Sequence, residues 1–307
     1  MKIIHAANEL KAEGKKVCLA IGFFDGVHLG HQQIIRQTIS DARQHDALAV
    51  VLTFDRHPNS VVAPDKVPPL IYSLPQKLRA IESLGADALL LIQFDKKFSE
   101  QTGEEFIRNL SLDFGKIHSV CVGADFIFGH KRSGNVALLK KLGAELNFSV
   151  HGLAAVSLDG QVVSSTRIRE TIRAGDFDAT SQMLGRTYAI SGCVVEGDKL
   201  GHKLGFPTAN LDATNLILPP NGVYSGCTKL NGQFYRVALN IGLRPTVASA
   251  KPQLRVEAHL LDFDGNLYGE DLEIEIGEKL RDERKFNSPN ELREQISKDV
   301  SEVRKLV

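Results

Sequence analysis

The sequence predicts an α/β protein with two domains: an N-terminal domain built on a mostly parallel sheet, and a C-terminal antiparallel β-barrel that ends in a helix. At 307 residues the chain exceeds the size that one hydrophobic core usually reaches. In residues 1–183, short apolar runs alternate with helical patterns, which is typical of βαβ units. In residues 184–307, helical patterns nearly vanish and apolar residues alternate with polar ones in period two.

The elements of the first domain follow from its apolar runs. Four of these runs are predicted strands, at residues 17–23, 47–54, 86–94 and 117–122. Apolar residues at helical spacing predict helices over residues 32–45, 75–84 and 102–110. Residues 61–69 contain Pro64, Pro68 and Pro69, so this segment is predicted to be a loop.

Turn signals and one helix define the second domain. Asn231-Gly232 between two apolar runs predicts a β-hairpin, and Asp264-Gly265 predicts another. Ser288 is the predicted N-cap of the last helix, with Pro289 in the first turn and Glu291 completing a capping box. The apolar stripe that should dock this helix on the barrel consists of Leu292, Ile296, Val300 and Val303.

Composition and charge exclude several classes of function. The 37 basic residues balance the 37 acidic ones, which gives no general attraction to nucleic acid or to an anionic membrane. No apolar run approaches the ~20 residues of a membrane span, and the N-terminus lacks the features of a secretory signal. We therefore expect a cytoplasmic protein.

The cysteines form no CxxC pair, and three in apolar runs are predicted core residues: Cys18, Cys121 and Cys193.

A glycine-rich segment with two histidines is the first candidate site. Residues 22–31 (GFFDGVHLGH) link the first predicted strand of the alternating pattern to a helix. Glycines at such a turn let the backbone approach a ligand, and the helix N-terminus favours phosphate. His28 and His31 could donate hydrogen bonds to phosphate oxygens. A lone histidine there would more often be an ordinary surface residue, whereas the full HxGH pattern indicates nucleotide chemistry.

This segment resembles the signature of the nucleotidyltransferase superfamily of Rossmann-like domains. Residues 163–169 (VSSTRIR) are similar to that superfamily's ISSTxxR motif, in which hydroxyls and an arginine would bind the ATP phosphates. Alone, this motif could be an ordinary capped helix. The chain contains no GxxxxGK[ST] loop. We therefore expect nucleotidyl transfer, in which an acceptor phosphate attacks the α-phosphate and pyrophosphate leaves.

The second candidate site lies in the barrel domain. Residues 205–210 (GFPTAN) place a hydroxyl and an amide on a loop, where they could meet a metal and a phosphate. Such a turn is common, but this one resembles the PTAN motif of riboflavin kinases. Along nearly the whole chain, the sequence resembles the bacterial bifunctional riboflavin kinase/FMN adenylyltransferase family. The segments that carry this resemblance are residues 22–31, 53–58, 123–134, 164–169, 205–210, 240–246 and 257–259.

The resemblance implies that the C-terminal domain phosphorylates riboflavin to FMN and the N-terminal domain adenylylates FMN to FAD, both with Mg²⁺ and ATP. It assigns Thr208 to Mg²⁺ and Glu257 to the general base on the ribityl hydroxyl, with His28 and His31 catalytic in the other domain. The implied ATP- and phosphate-binding residues are Gly22, Phe24, Gly30, Ser164, Ser165, Thr166, Arg167 and Asn210. The implied flavin-binding residues are His57, Pro58 and Asp125.

Periodicity places Glu257 on one strand face with Arg255 and His259, which a solvated charged face would also explain. The chain departs from the family pattern at four positions, which lie where the resemblance places flavin or phosphate: Arg56, Ile127, Leu200 and His202.

Two other functions are consistent with parts of the pattern. The first domain could transfer a nucleotide to another acceptor, such as a pantetheine or nicotinamide mononucleotide, although such an enzyme would not need the second domain. The barrel could instead bind flavin or single-stranded nucleic acid without catalysis. Nucleic acid is disfavoured because the charges of this domain are mixed in sign. The sequence predicts no oligomeric state.

Overall fold

A computed structural model describes residues 1–10, 14–197, 200–244 and 253–306. The chain divides into two compact units, Met1–Leu70 with Lys77–Ser165, and Ile71–Gln76 with Thr166–Val307. The strands are β1 (Lys2–Ile4), β2 (Val17–Ile21), β3 (Leu48–Phe54), β4 (Ala88–Ile92), β5 (Ile117–Gly123), β6 (Ile127–Phe128), β7 (Gly134–Asn135), β8 (Ser149–Leu153), β9 (Ser157–Leu158), β10 (Gln161–Val162), β11 (Ala189–Val195), β12 (Ala209–Leu211), β13 (Gly222–Leu230), β14 (Gln233–Arg244), β15 (Gln253–Leu260) and β16 (Asp271–Arg281). The α-helices are α1 (Leu29–Gln44), α2 (Asn59–Val62), α3 (Leu74–Glu82), α4 (Lys96–Ser99), α5 (Gly103–Phe114), α6 (Val136–Leu146), α7 (Ser165–Ala174), α8 (Phe177–Leu184), α9 (Leu200–Leu204) and α10 (Pro289–Lys305).

The first unit contains a parallel sheet of six strands in the order β1-β4-β3-β2-β5-β8. All five residues of β2 are buried, as expected for a central strand. After β2 the chain builds β3 and β4 on one side and later β5 and β8 on the other. The strand order therefore reverses between β2 and β5, and in open α/β sheets ligands bind at the carboxyl ends of the strands at such a point.

The parallel α/β prediction for this unit is confirmed. The four inner strands were predicted because each is an apolar run. Two outer strands were not predicted: β1 has only three residues, and β8 contains Ser149, His151 and Gly152. Residues 61–69 were predicted to be a loop, which is wrong in part. The segment contains the end of α2 and a short 3₁₀ helix, Pro64–Lys66, whose first position suits a proline.

The second unit contains a closed antiparallel barrel in the order β11-β12-β15-β14-β13-β16. Asn231 (φ 49°) and Gly232 (φ 84°) form the tight turn between β13 and β14, so this predicted hairpin is confirmed. The predicted hairpin at Asp264-Gly265 is wrong. β15 pairs with β12 and β14, whereas β16 pairs with β11 and β13, so the segment between β15 and β16 joins strands that are not neighbours.

Side chains along the barrel strands alternate between the core and the outer surface. In β15, Val256, Ala258 and Leu260 are buried, whereas Glu257 and its neighbours on the same face are half-buried. The same alternation corrects the prediction for Cys193. This residue is exposed on β11 because the neighbouring Val194 occupies the core position, whereas Cys18 and Cys121 are buried as predicted.

The terminal helix α10 packs against β13 and β14, and Val303 in its apolar stripe is 2% exposed. Ser288 is the N-cap, and its Oγ accepts a hydrogen bond from the Glu291 N–H at 3.2 Å. The predicted capping box is incomplete because the Glu291 carboxylate accepts from the Asn287 N–H at 3.0 Å, one residue before the cap. Among the described residues, no helix is both long and apolar enough to cross a bilayer.

We predict that Ser288→Ala loosens the first turn of α10. Loss of an N-cap typically costs about 1 kcal/mol, which corresponds to about five-fold faster hydrogen exchange for amides that open with this turn. Ser297→Ala is the matched control, because Ser297 is exposed in the middle of the same helix. Exchange followed by mass spectrometry should show the acceleration in Ser288→Ala alone. Equal exchange in the two variants would contradict the capping role.

Candidate active sites

A tightly constrained turn follows the carboxyl end of β2. A Cβ atom at Gly22 would lie 2.7 Å from the Phe24 ring, so only glycine fits there. Phe24 is 1% exposed and has a left-handed backbone conformation (φ 55°), as has Val27 (φ 40°). A positive φ is an outlier for a β-branched residue and persists only where the surrounding structure holds it. The turn therefore fixes the direction in which the chain enters α1.

The two predicted catalytic histidines lie together at the start of α1. His28 is the N-cap residue, and its Nδ1 accepts a hydrogen bond from the His31 N–H at 3.4 Å. That bond assigns the proton of neutral His28 to Nε2. The two imidazole rings stack with their centroids 3.6 Å apart. A Cβ atom at Gly30 would lie 3.2 Å from His28 Cε1, which explains the glycine between the histidines.

The second phosphate motif meets this turn. Ser165 begins α7, and its Oγ donates a hydrogen bond to the Asp25 carbonyl oxygen at 3.2 Å across 140 positions of sequence. Asp25 belongs to the turn after β2 and is buried. Ser164 precedes the helix and is half-buried, whereas Thr166 is exposed and Arg167 half-buried in the first helical turn. The two motifs that indicated nucleotidyl transfer are thus joined by a direct contact.

The predicted flavin-binding residues lie at the same edge of the sheet. His57 and Pro58 follow β3, and Asp125 follows β5, the two strands that flank β2. The His57 ring meets the Phe23 ring edge-on with centroids 4.8 Å apart, and its Nδ1 accepts a hydrogen bond from the Asn59 N–H at 3.0 Å. Asp125 is exposed. His57 therefore contacts the turn after β2 directly.

Two residues that depart from the family pattern, Arg56 and Ile127, belong to this unit. Arg56 forms an ion pair with Asp55, Nη2 to Oδ2, at 2.9 Å. Partial burial alone would raise the pKa of Asp55, but the Phe94 N–H and the Arg56 guanidinium outweigh it and hold this pKa below its usual value. Ile127 lies in β6 with 44% of its surface exposed.

Lys77, a buried lysine at the same edge of the sheet, was not predicted as a site residue from the sequence. Its Nζ lies 2.8 Å from the Phe54 carbonyl oxygen, 3.3 Å from the Phe23 carbonyl oxygen and 3.3 Å from Thr53 Oγ1. Burial lowers the pKa of Lys77 to about 8, against the opposing effect of the Asp25 and Asp55 charges. One sequence signal could have indicated that Lys77 is buried. It lies four positions before the buried Ile81, so both residues face the packing side of the helix predicted over residues 75–84.

The barrel unit contains a cavity of about 330 Å³ that is lined by three of the predicted kinase residues, Thr208, Asn210 and Glu257. Asn210 on β12 and Asn240 on β14 both pair with Glu257 on β15, one from each side. Glu257 therefore lies between two amide-bearing neighbours on the outer face of the barrel. The structure brings these predicted residues together at one cavity.

Two glycines let the preceding loop approach Thr208 and Asn210. A Cβ atom at Gly201 would lie 3.0 Å from Thr208 Oγ1, and one at Gly197 would overlap the Asn210 amide. His202, one of the departures, is exposed on α9, and the backbone of Leu200 begins this helix. Residues 198–199 of this loop and residues 245–246 of the family match lie outside the described residues.

One part of the cavity lining was not predicted from the sequence. Arg281 at the end of β16 binds Asp299 of α10 through three hydrogen bonds: Nε to Oδ1 at 3.0 Å, Nε to Oδ2 at 3.1 Å and Nη2 to Oδ2 at 2.8 Å. The guanidinium groups of Arg281 and Arg284 lie 5.8 Å and 4.9 Å from the centre of the Phe286 ring. Leu292 and Ile296 also line the cavity. The apolar stripe of α10 thus faces the cavity as well as the barrel.

Two family models match this chain. The model described as FAD synthetase matches residues 10–167, and the model described as riboflavin kinase matches residues 184–307. A solved structure described as a macrolide-efflux protein from Streptococcus pneumoniae is similar to this chain, with a TM-score of 0.80, 27% identity and 100% coverage of both chains.

Curated relatives match along almost the full length. They include proteins named bifunctional riboflavin kinase/FMN adenylyltransferase from Buchnera aphidicola of Schizaphis graminum (36% identity; 99% of this chain and 98% of the relative), Escherichia coli K12 (36%; 97% and 96%) and Bacillus subtilis 168 (37%; 98% and 97%). The match to both domain models disfavours a different nucleotide acceptor and a non-catalytic barrel. The chain belongs to the bifunctional riboflavin kinase/FMN adenylyltransferase family, with its FAD synthetase domain first and its riboflavin kinase domain second.

Proposed function

We propose that Glu257 is the general base of the riboflavin kinase reaction. The observation that carries this assignment is the pairing of Glu257 with Asn210 at the cavity that Thr208 also lines. The terminal ribityl oxygen would attack the γ-phosphorus of ATP and pass its proton to the Glu257 carboxylate. The bond from the γ-phosphorus to the bridging oxygen breaks, which gives FMN and ADP.

The cavity suits ATP that carries Mg²⁺. Mg²⁺ prefers oxygen ligands, keeps several waters and usually shares phosphate oxygens of the substrate. The Thr208 hydroxyl fits this donor set, and Gly201 leaves room beside it because a Cβ atom there would crowd the hydroxyl oxygen. Among the described residues, no group of three or more His, Cys, Asp or Glu is arranged to hold a metal. We infer that Thr208 binds the ion together with the nucleotide and that Asn210 orients the phosphates, while Mg²⁺ offsets their charge.

For adenylyl transfer, we propose that an FMN phosphate oxygen attacks the α-phosphorus of ATP and pyrophosphate leaves. Gly22, Phe24 and Gly30 shape the turn that holds the phosphates. His28 and His31 donate hydrogen bonds to the oxygens on which negative charge grows. No residue needs to form a covalent intermediate, because positioning and charge stabilisation suffice.

The remaining residues are assigned to binding the two substrates of this site, ATP and FMN. Ser164, Ser165, Thr166 and Arg167 would bind the ATP phosphates at the start of α7. His57, Pro58 and Asp125 would contact the flavin, since they follow the strands on either side of β2. The proposed substrates are riboflavin, FMN and ATP, with no nucleic-acid partner. A cytoplasmic location stays a prediction from the sequence.

Incubation of the protein with riboflavin and Mg²⁺–ATP should yield FMN first and FAD later. A chelator in excess over Mg²⁺ should stop both steps, because each site must offset triphosphate charge. Chromatographic separation of the three flavins measures both reactions at once. Accumulation of FMN without FAD would leave only the kinase assignment standing, and turnover that persists under chelation would contradict the magnesium requirement.

His31→Ala should slow the conversion of FMN to FAD by ~10²–10³-fold, because it removes one donor to the developing charge. Riboflavin phosphorylation by the same preparation should be unchanged. His45→Ala is the matched control, since His45 is exposed at the other end of α1. Equal loss of both activities would point to misfolding instead.

Glu257→Gln keeps the size of the side chain but removes its basicity, so the riboflavin kinase rate should fall by ~10²–10⁴-fold. FMN adenylylation should stay at the parental rate. The control variant Glu278→Gln changes an exposed carboxylate on β16 of the same barrel. If Glu257→Gln phosphorylates riboflavin at the rate of this control, Glu257 is a solvated strand residue and the base is another group.

A further inference from the structure

Lys77 is enclosed between the ends of two strands and is 4% exposed. A lysine ammonium has three donors, and Lys77 Nζ has three oxygens within hydrogen-bonding distance: Phe54 O, Phe23 O and Thr53 Oγ1. Thr53 Oγ1 donates its own proton to Phe23 O at 2.9 Å, so it accepts from Lys77. This geometry matches the protonated amine, because a neutral amine has one donor fewer.

The oxygens that Lys77 contacts belong to two segments with different proposed roles, the turn after β2 and the end of β3. Phe23 lies between Gly22 and Phe24 in the turn that leads to the histidines. Phe54 ends β3, three residues before His57. The Phe23 ring joins the same cluster, with Lys77 Nζ 4.4 Å from its centre and the His57 ring 4.8 Å away, centroid to centroid. The ammonium therefore ties the phosphate turn to the segment assigned to the flavin.

We propose that Lys77 is a positioning residue for adenylyl transfer: its charged ammonium holds the histidine-bearing turn after β2 against the His57 segment after β3, and transfer depends on that charge. The inference deepens the roles proposed for His28 and His31. Lys77 acts through the backbone carbonyl of Phe23, within the turn, and its contacts are to backbone and Thr53 oxygens of the protein itself.

The charged surroundings set the direction of the pH dependence. Asp25 faces Lys77 from the turn after β2 and Asp55 from the end of β3, while Arg56 pairs with Asp55 and His57 lies across the Phe23 ring. With its pKa at about 8, Lys77 is charged at neutral pH and loses its proton in mildly alkaline solution. Adenylyl transfer should therefore fall as the pH rises through about 8.

Stability should respond in the opposite direction, which separates loss of charge from unfolding. The pKa of Lys77 is about 8 in the folded protein, against 10.5 for an ordinary solvated lysine. Between these values the unfolded chain binds the proton more tightly, so raising the pH favours the folded state through this group. An alkaline fall in activity caused by Lys77 is thus not accompanied by a Lys77-driven loss of stability.

The test measures kcat and KM for FMN adenylylation from pH 6 to pH 10 in the full chain and in Lys77→Arg, Lys77→Met and the exposed control Lys140→Met. Riboflavin phosphorylation and thermal unfolding are recorded in the same buffers. Parent and control should show the alkaline fall. Lys77→Arg should lack it, because a guanidinium stays charged throughout. Lys77→Met should lack it too, with kcat reduced by roughly 10²-fold at every pH because the turn is misplaced, and with KM little changed.

Three results would overturn the proposal. The first is an alkaline fall in Lys77→Arg identical to that of the parent, which would assign the titration to another group. The second is a folded Lys77→Met that adenylylates FMN at the parental rate. The third is a Lys77→Met whose riboflavin phosphorylation falls as far as its adenylylation. If Lys77→Met does not fold, the comparison of Lys77→Arg with the parent decides the question alone.

Discussion

The absence of a side chain at Gly22 is the constraint on which the N-terminal site depends. The Phe24 ring occupies the space that a Cβ atom at Gly22 would need, and this lets Phe24 be buried while the backbone turns through positive φ. This turn then fixes His28 as the N-cap residue of α1. Because α1 begins where β2 has just ended, its N-terminus points at the edge of the sheet where the strand order reverses.

A different constraint, strand register, organises the barrel site. A strand residue reaches the outer face only at every second position, so a shift of one residue would bury the Glu257 carboxylate in the core. The pairing of Glu257 with Asn210 and Asn240 fixes this register from both sides. The core positions Val256 and Ala258, 1% and 0% exposed, oppose a slip because it would expose them.

Local signals carried most of what the sequence predicted. The four inner strands are apolar runs, and Asn231-Gly232 specifies its hairpin without help from the rest of the chain. Asp264-Gly265 failed because pairing in a closed barrel depends on strands far away in sequence. Cys193 was misplaced because an apolar run does not show which of its residues faces outward. Lys77 was missed because the oxygens around it come from β3 and from the turn after β2, and only the folded chain brings them together.

Family motifs located the candidate sites, whereas the structure supplied the reasons for their spacing. The glycine between His28 and His31 is explained by a ring that a Cβ atom would crowd. The cavity wall around Arg281 and Asp299 had no signal in the sequence, since an arginine and an aspartate 18 positions apart are unremarkable until β16 and α10 pack together.

Closure of the barrel has a consequence for the order in which the chain can fold during synthesis. β11, which opens the barrel at Ala189, pairs with β16, which begins at Asp271. Until the ribosome has delivered β16, β11 and β13 each present an unpaired edge, and such edges invite pairing with other chains. The strands of the parallel sheet are complete much earlier, by Leu153. The nascent chain can thus complete its N-terminal sheet while the kinase barrel is still open, and the barrel edges are protected only after β16 has been synthesised.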